Sequence, residues 1–332
     1  MSEKLALQGR LTFCRSNPRL DLRSIAQELH VSQLEIDDDL SLDLEEVRAI
    51  RDDLAQRGIE VVSFHIPCTC EPLGSARLEQ ARERIRLGLD RAAQLGSRSA
   101  ILVPRTPPRG EIDSARHSYA HLVSFARTLA VERGIRLSVN NSGLHAAAFG
   151  NPQYFAQLCE SLAPDLRMTL DIANWQLGGE CPFEAIRQLA PWIDVVHIKD
   201  WTVPSNQRAV TSASRSLAME VRRRVMSSRL GGVARQLATW LGVSKYVPRV
   251  VPGTDGVWFQ GAMIGDGIVD IPGCLKTLRA NQFQGTVVIE YEGTGDLEQA
   301  YRTGVARVRQ MLARYDESAS PAPTDVAEHT DR

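Results

Sequence analysis

The sequence predicts an α/β fold, a (β/α)8 TIM barrel with a helical insertion after its seventh strand. Three observations predict it. Short apolar runs alternate with amphipathic segments long enough for crossover helices, eight such runs occur between residues 7 and 312, and most end in polar residues. An open doubly wound sheet shares the local pattern, so the strand count decides for the barrel. No Gly-x-Gly-x-x-Gly follows the first run, which argues against a dinucleotide site.

Leu7 to Cys14 reads as the first strand, followed by a short helix near Leu22 to Leu29. Gln33 to Ile36 is the second, running into Asp37-Asp-Asp39. Leu44, Val47, Ile50 and Leu54 have helical spacing, and Gly58 stops that helix. Ile59 to Phe64 delivers His65 and Pro67; an Arg/Glu-rich helix over Ser75 to Leu95 then leads to Ser99–Val103, with Arg105 just beyond. A helix over Asp113 to Val131 precedes Ile135 to Val139, which gives out onto Asn140 and Asn141. Asn151-Pro152 pairs an N-cap with proline at the first helical position. Strands six and seven, Arg167 to Leu170 and Ile193 to Ile198, flank a helix bounded by Pro182 and Pro191. A helix over Asp270 to Ala280, strand eight over Thr286 to Ile289, and a last helix over Leu297 to Ala313 complete the count.

Two stretches break this rhythm. Residues 202–263 are far longer than an ordinary βα loop and carry nine basic residues against Glu220 and Asp255. Leu217, Val221 and Val225, then Val233, Leu237 and Leu241, suggest two helices joined at Gly231-Gly232. A lid over the mouth fits this insertion; a solvated or subunit-contacting hairpin fits slightly better. Residues 317–332 lack a core pattern and are expected to be disordered, leaving residues 1–316 as one barrel domain.

With 332 residues, 43% hydrophobic and 24% charged, the chain reads as one ordinary globular domain. A formal net charge of −1 gives no reason to expect nucleic acid as a partner. No run approaches the ~20 apolar residues of a membrane span, so a cytoplasmic location is expected. The six cysteines are scattered and suggest no disulfide framework or zinc site. A small-molecule substrate is the expected partner, and a homo-oligomer is left open.

Strand carboxyl ends converge on one mouth of such a barrel. Asp171, His197 and Glu290 come from strands six, seven and eight, and their mixed oxygen and nitrogen donors suit Mn2+, Mg2+, Co2+, Fe2+ or Zn2+. The order Asp171-Ile-Ala-Asn174, His197-Ile-Lys-Asp200, Gly265-Asp-Gly267 and Glu290 resembles the sugar phosphate isomerase/epimerase family of xylose isomerase-like barrels. The likeness runs from about Leu7 to Leu312 apart from the insertion. It implies a divalent metal held by Glu, Asp, His and Glu from strands five to eight, and proton transfer next to a carbonyl of a sugar, polyol or keto acid.

The sequence departs from that pattern at two positions. Asn140 stands where the strand-five Glu is expected, and Asn174 where the Asp-x-x-His motif has its His. An amide oxygen is a weak ligand and cannot accept a proton at neutral pH, so two-base epimerisation is disfavoured. The expected chemistry is a single-base isomerase or lyase reaction with Glu290 as the base, assisted by Lys199 or His65. Asp171, His197 and Glu290, with Asn140 as a fourth group, are the expected metal set. Asn141, Asn174, Arg105 and Trp175 are candidate substrate contacts. The alternative is a barrel that has lost its metal and serves as a ligand-binding or assembly protein, or as a metal-free enzyme.

Overall fold

A computed structural model describes residues 4–10, 14, 21–38, 42–71, 76–105, 111–143, 146–206, 250–293 and 296–317. Eight parallel strands close into a barrel. In chain order they begin with β1 (Leu5–Arg10), β2 (Gln33–Asp37), β3 (Glu60–Thr69) and β4 (Ser99–Arg105). They continue with β5 (Arg136–Asn140), β6 (Leu166–Asp171) and β7 (Ile193–Ile198). Three short strands then form a separate sheet, and β11 (Thr286–Ile289) closes the ring by pairing with β1 and β7.

The helices cover the outside. The long ones are α2 (Leu44–Gln56), α3 (Ala76–Leu95), α4 (Ile112–Glu132) and α10 (Leu297–Glu317). Their starts follow local chemistry. Asp43 accepts from the backbone of Glu45 and Glu46, while the Glu46 side chain accepts from Asp43 N, a reciprocal cap for α2. Asn151 caps α6 (Pro152–Ser161), and Asp270 caps α9 (Ile271–Ala280). Strand residues such as Leu34, Ile36, Phe64 and Ile66 join the buried apolar layer between strands and helices.

Two shifts in strand register place the mouth residues. Between β2 and β3, Leu34 pairs with Val61 but Glu35 with Ser63, so Glu35 and Asp37 stand beside Ser63 and His65. Between β6 and β7, Met168 pairs with Ile193 but Thr169 with Val195, which sets Asp171 beside His197. Ala6, Val62, Val195 and Val288 form a small apolar cluster of their own. Polar pairs link neighbouring strands: Ser138 with Thr169 at 2.8 Å, and Ser99 Oγ donating to Val62 O at 3.0 Å.

Several boundaries differ from the sequence expectation. β1 begins at Leu5 because Leu5 to Leu7 pair with Val287 to Ile289; Cys14 lies outside that strand and is buried. β3 runs past Phe64 to Thr69 and β4 to Arg105, although Pro67 and Pro104 lack a ladder donor. Cys70 N donates to Arg105 O at 2.7 Å and secures that extension. The short helices α5 (Ala146–Phe149) and α7 (Asn174–Leu177) are elements that the hydrophobic spacing does not signal.

The described ends of the insertion are strands, not helices. β8 (Asp200–Thr202), β9 (Val250–Pro252) and β10 (Trp258–Ala262) make an antiparallel sheet in the order β8-β10-β9. The helices expected around Leu217–Val225 and Val233–Leu241 lie outside the described residues, as does the tail from 318. All six cysteines are free thiols and five are buried. Among the described residues, no helix is long and apolar enough to cross a membrane.

Candidate metal centre

The barrel mouth holds a chain of ionisable groups running from β2 round to β6. Glu35, fully buried on β2, lies between two imidazoles: its Oε1 is 2.9 Å from Nε2 of both His65 and His197. The aligned hydrogen bond to His197 Nε2 runs through Oε2 at 3.1 Å, and Ser63 Oγ donates to the same oxygen at 2.5 Å. The two rings stack, with centroids 5.5 Å apart and planes 22° from parallel. On its outer side His65 Nδ1 meets Asp37 Oδ1 at 3.0 Å and Gln8 Nε2 at 3.4 Å.

On the other side of His197, Nδ1 lies 3.2 Å from Glu290 Oε2. Lys199, two residues further along, reaches Asp171 Oδ2 at 2.7 Å, Glu290 Oε2 at 3.4 Å and Glu292 Oε1 at 3.6 Å. Asp171 uses its other oxygen to accept from the backbone of Ala173 and Asn174, at 3.0 and 2.9 Å.

These contacts shift protonation. Burial would raise the Glu35 carboxyl, but His197 and His65 outweigh it and hold the group well below its usual range. Burial would lower His197, yet Glu35 and Glu290 raise it to about 10, and His65 is likewise held well above an ordinary imidazole. Glu290 is held well below the usual carboxylate range: burial opposes this, and Lys199 and His197 prevail. Burial raises Asp171; the neighbouring charge of Glu290 adds to that and Lys199 counters it.

The asparagines serve the backbone. Asn141 exchanges two 2.8 Å hydrogen bonds with the main chain of Asp171, and Asn174 Nδ2 donates to Asn141 O at 2.8 Å. This lattice of amides pins the turn that presents Asp171, and Asn174 Oδ1 is buried with no hydrogen-bond partner among the described residues. Asn140 Nδ2 donates to Thr169 O at 3.3 Å. Trp175 is fully buried, edge-on against Phe155, and Arg105 is exposed at the end of β4.

Asp200 is a structural clamp. Its carboxylate accepts four backbone N–H bonds, from Trp201 and Val269 on one oxygen and from Gly265 and Gly267 on the other, all between 2.9 and 3.1 Å. Burial raises its pKa against those four donors. A Cβ on Gly267 would sit 2.1 Å from Asp200 Oδ1, so the Gly-x-Gly turn is shaped around this carboxylate. The pairing joins Asp200, just after strand seven, to the Gly265-Asp-Gly267 turn.

Two triads, Glu35/His65/His197 and Asp171/His197/Glu290, each hold their ligand atoms within 4.8 Å of one another, a spacing one ion can share. Their donor chemistry fits a divalent cation of the Mn2+ to Zn2+ kind. So does the charge: five carboxylates (Glu35, Asp37, Asp171, Glu290, Glu292) face three basic groups (His65, His197, Lys199), an acidic excess even with both imidazoles protonated.

A model of the family described as xylose isomerase-like TIM barrel matches residues 21–311. The chain belongs to that family. Solved structures agree on the barrel. A D-tagatose 3-epimerase-like protein superposes with a TM-score of 0.67 at 14% identity, covering 95% of this chain and 99% of that one. An IOLI protein with a bound zinc atom gives 0.66 at 13%, covering 94% and 99%. The 3-keto-D-glucoside 4-epimerase YcjR from E. coli gives 0.59 at 16%, covering 92% and 99%. At these identities the likeness shows the fold alone. No curated protein sequence matches the chain.

Within this xylose isomerase-like barrel, the residues singled out from sequence divide into groups. Asp171, His197, Lys199 and Glu290 meet as one cluster, with His65 joined to it through Glu35. Asn141 and Asn174 support Asp171, while Trp175 packs into the core. Sequence reasoning missed Glu35, Ser63 and Glu292. One signal was present: Glu35 alternates with Leu34 and Ile36, a charged side chain on the barrel-facing side of a strand whose other face is apolar.

Proposed function

We propose that this barrel is a divalent-metal-dependent isomerase or lyase that removes a proton next to a carbonyl of an oxygenated, sugar-like substrate. The observation carrying this reading is the convergence of Asp171, His197 and Glu290 from three neighbouring strands onto one point. Asp171, His197 and Glu290 would hold the ion, with the Asn140 amide oxygen as a weak fourth group. When bound, the ion supplies polarisation of the substrate carbonyl.

Glu290 is the base. Lys199 and His197 keep it ionised, which also makes it a weak base, so the carbon acid it attacks must itself be acidified. The C–H bond breaks, its proton passes to Glu290, and the electron pair moves onto the carbonyl oxygen. Lys199, whose Nζ lies 3.4 Å from Glu290, would donate a proton to that oxygen. Glu290 can then return its proton to the adjacent carbon while Lys199 takes one from the hydroxyl that becomes the new carbonyl, an isomerisation. Alternatively, Lys199 takes its proton back from the enol oxygen, the carbonyl re-forms, and the β-hydroxyl leaves as water with the proton Glu290 holds, an elimination. Asn140 offers no second base across the substrate, which disfavours epimerisation by opposed glutamates. The small-molecule substrate and any homo-oligomeric assembly belong to this reading as well.

Metal analysis of the purified protein tests it. Wild type should carry a divalent ion that His197→Ala loses, and chelation should abolish turnover of ketoses or hydroxy-keto acids. Full activity after chelation would overturn the metal-dependent reading. A second reading draws on the 2.7 Å contact of Lys199 with Asp171: the ammonium takes the cation's place, and the barrel works without metal, as an enzyme or a binding protein. Metal-free wild type that binds a sugar-like ligand with no response to added ion would favour it.

A further inference from the structure

We propose that Glu35 is a positioning residue for the metal centre, turning His197 so that Nε2–H faces β2 and Nδ1 lies on the side of Asp171 and Glu290, where it would give its lone pair to an ion in exchange for its proton. The inference rests on the metal-dependent reading above. A neutral imidazole has one N–H and one lone pair, and only the lone pair can bind an ion. A carboxylate accepting the N–H therefore decides which nitrogen is the ligand.

The contacts meet that requirement. β2 and β7 are not neighbours in the barrel, being separated by β1 and β11, so Glu35 reaches His197 across the interior. Its hydrogen bond is to Nε2 at 3.1 Å, while Nδ1 lies on the side of Glu290, 3.2 Å away. Flipping the ring about Cβ–Cγ would turn ring carbons toward both carboxylates, forfeiting the hydrogen bond in a fully buried place.

Glu35 is itself held. Ser63 donates to it at 2.5 Å and His65 closes its other oxygen at 2.9 Å. The His65 ring also covers one face of the His197 ring. Edge and face of His197 are thus both set by residues of β2 and β3, which contribute nothing to the Asp171/His197/Glu290 triad.

The test is Co2+ loading of wild type, Glu35→Leu, Ser63→Ala and His197→Ala, read by metal affinity and by proton NMR of the shifted ring N–H of His197. Wild type should show a slowly exchanging Nε2–H and bind through Nδ1. Glu35→Leu should weaken affinity about 10- to 100-fold and lose or speed the exchange of that proton. Ser63→Ala keeps the carboxylate but loosens it, so a smaller loss in the same direction is expected, and it carries the test should the leucine variant not fold. Unchanged affinity, N–H exchange and Nδ1 ligation in the folded variants would overturn the Glu35 assignment while leaving the metal intact. Wild type that takes up no Co2+, or holds it equally well in His197→Ala, would overturn the metal reading and this assignment together.

Discussion

Lys199 and Asp171 form a buried ion pair, Nζ to Oδ2 at 2.7 Å, in the middle of the barrel mouth. Glu290 and Glu292 share the same ammonium at longer range. Lys199→Met would leave three carboxylates without their common cation. In chelated protein the loss should be about 3–5 kcal/mol of unfolding free energy, the usual result of removing one partner from a buried pair. Added Mn2+ should restore most of it by supplying the missing positive charge. Urea midpoints with and without the ion measure both effects; an equal loss in the two conditions would mean that ion and ammonium do not serve the same carboxylates.

The Glu35–His197 pair sets a pH window for the ion-free protein. Glu35 is depressed from 4.5, so its contribution is complete above that value and is lost as pH falls below it. His197 is raised from 6.5 to about 10, so its contribution is complete below 6.5 and fades as pH climbs toward 10. Stability from these groups should peak between pH 4.5 and 6.5, and Tm should fall by about 5 °C on going to pH 9. Thermal melts across pH in chelator check this, with His197→Gln expected to flatten the alkaline limb.

Asp200→Asn should destabilise the turn at residues 265–269 without touching the triad. The carboxylate accepts four backbone N–H bonds, whereas an amide presents one acceptor and turns an N–H₂ against the remaining donors. A loss of about 2–4 kcal/mol is expected, with protease sensitivity appearing in that turn. Gly267→Ala should behave alike, since its Cβ would meet both Asp200 Oδ1 and Trp201 O.

Asn140→Glu restores a carboxylate beside Thr169 on β5. Divalent-ion affinity should rise about tenfold, worth about 1.4 kcal/mol, measurable by calorimetry. An unchanged or weaker affinity would show that Asn140 does not face the ion.

The sequence by itself determined the alternation of strand and helix, the count of eight, and the strand-end positions of Asp171, His197, Lys199 and Glu290. Those features are local: periodicity, caps and turn residues report on a dozen neighbours at a time. Only the tertiary structure decided that Glu35 belongs to the site, because its link to His197 spans the barrel and depends on a register shift beside Val62. It also decided that Asn141 braces Asp171 through its backbone and is itself held by Asn174, and that Asp200 closes a turn more than sixty residues away. A side chain's partner across a barrel is set by strand register and closure, and neither is written in the spacing of residues along the chain.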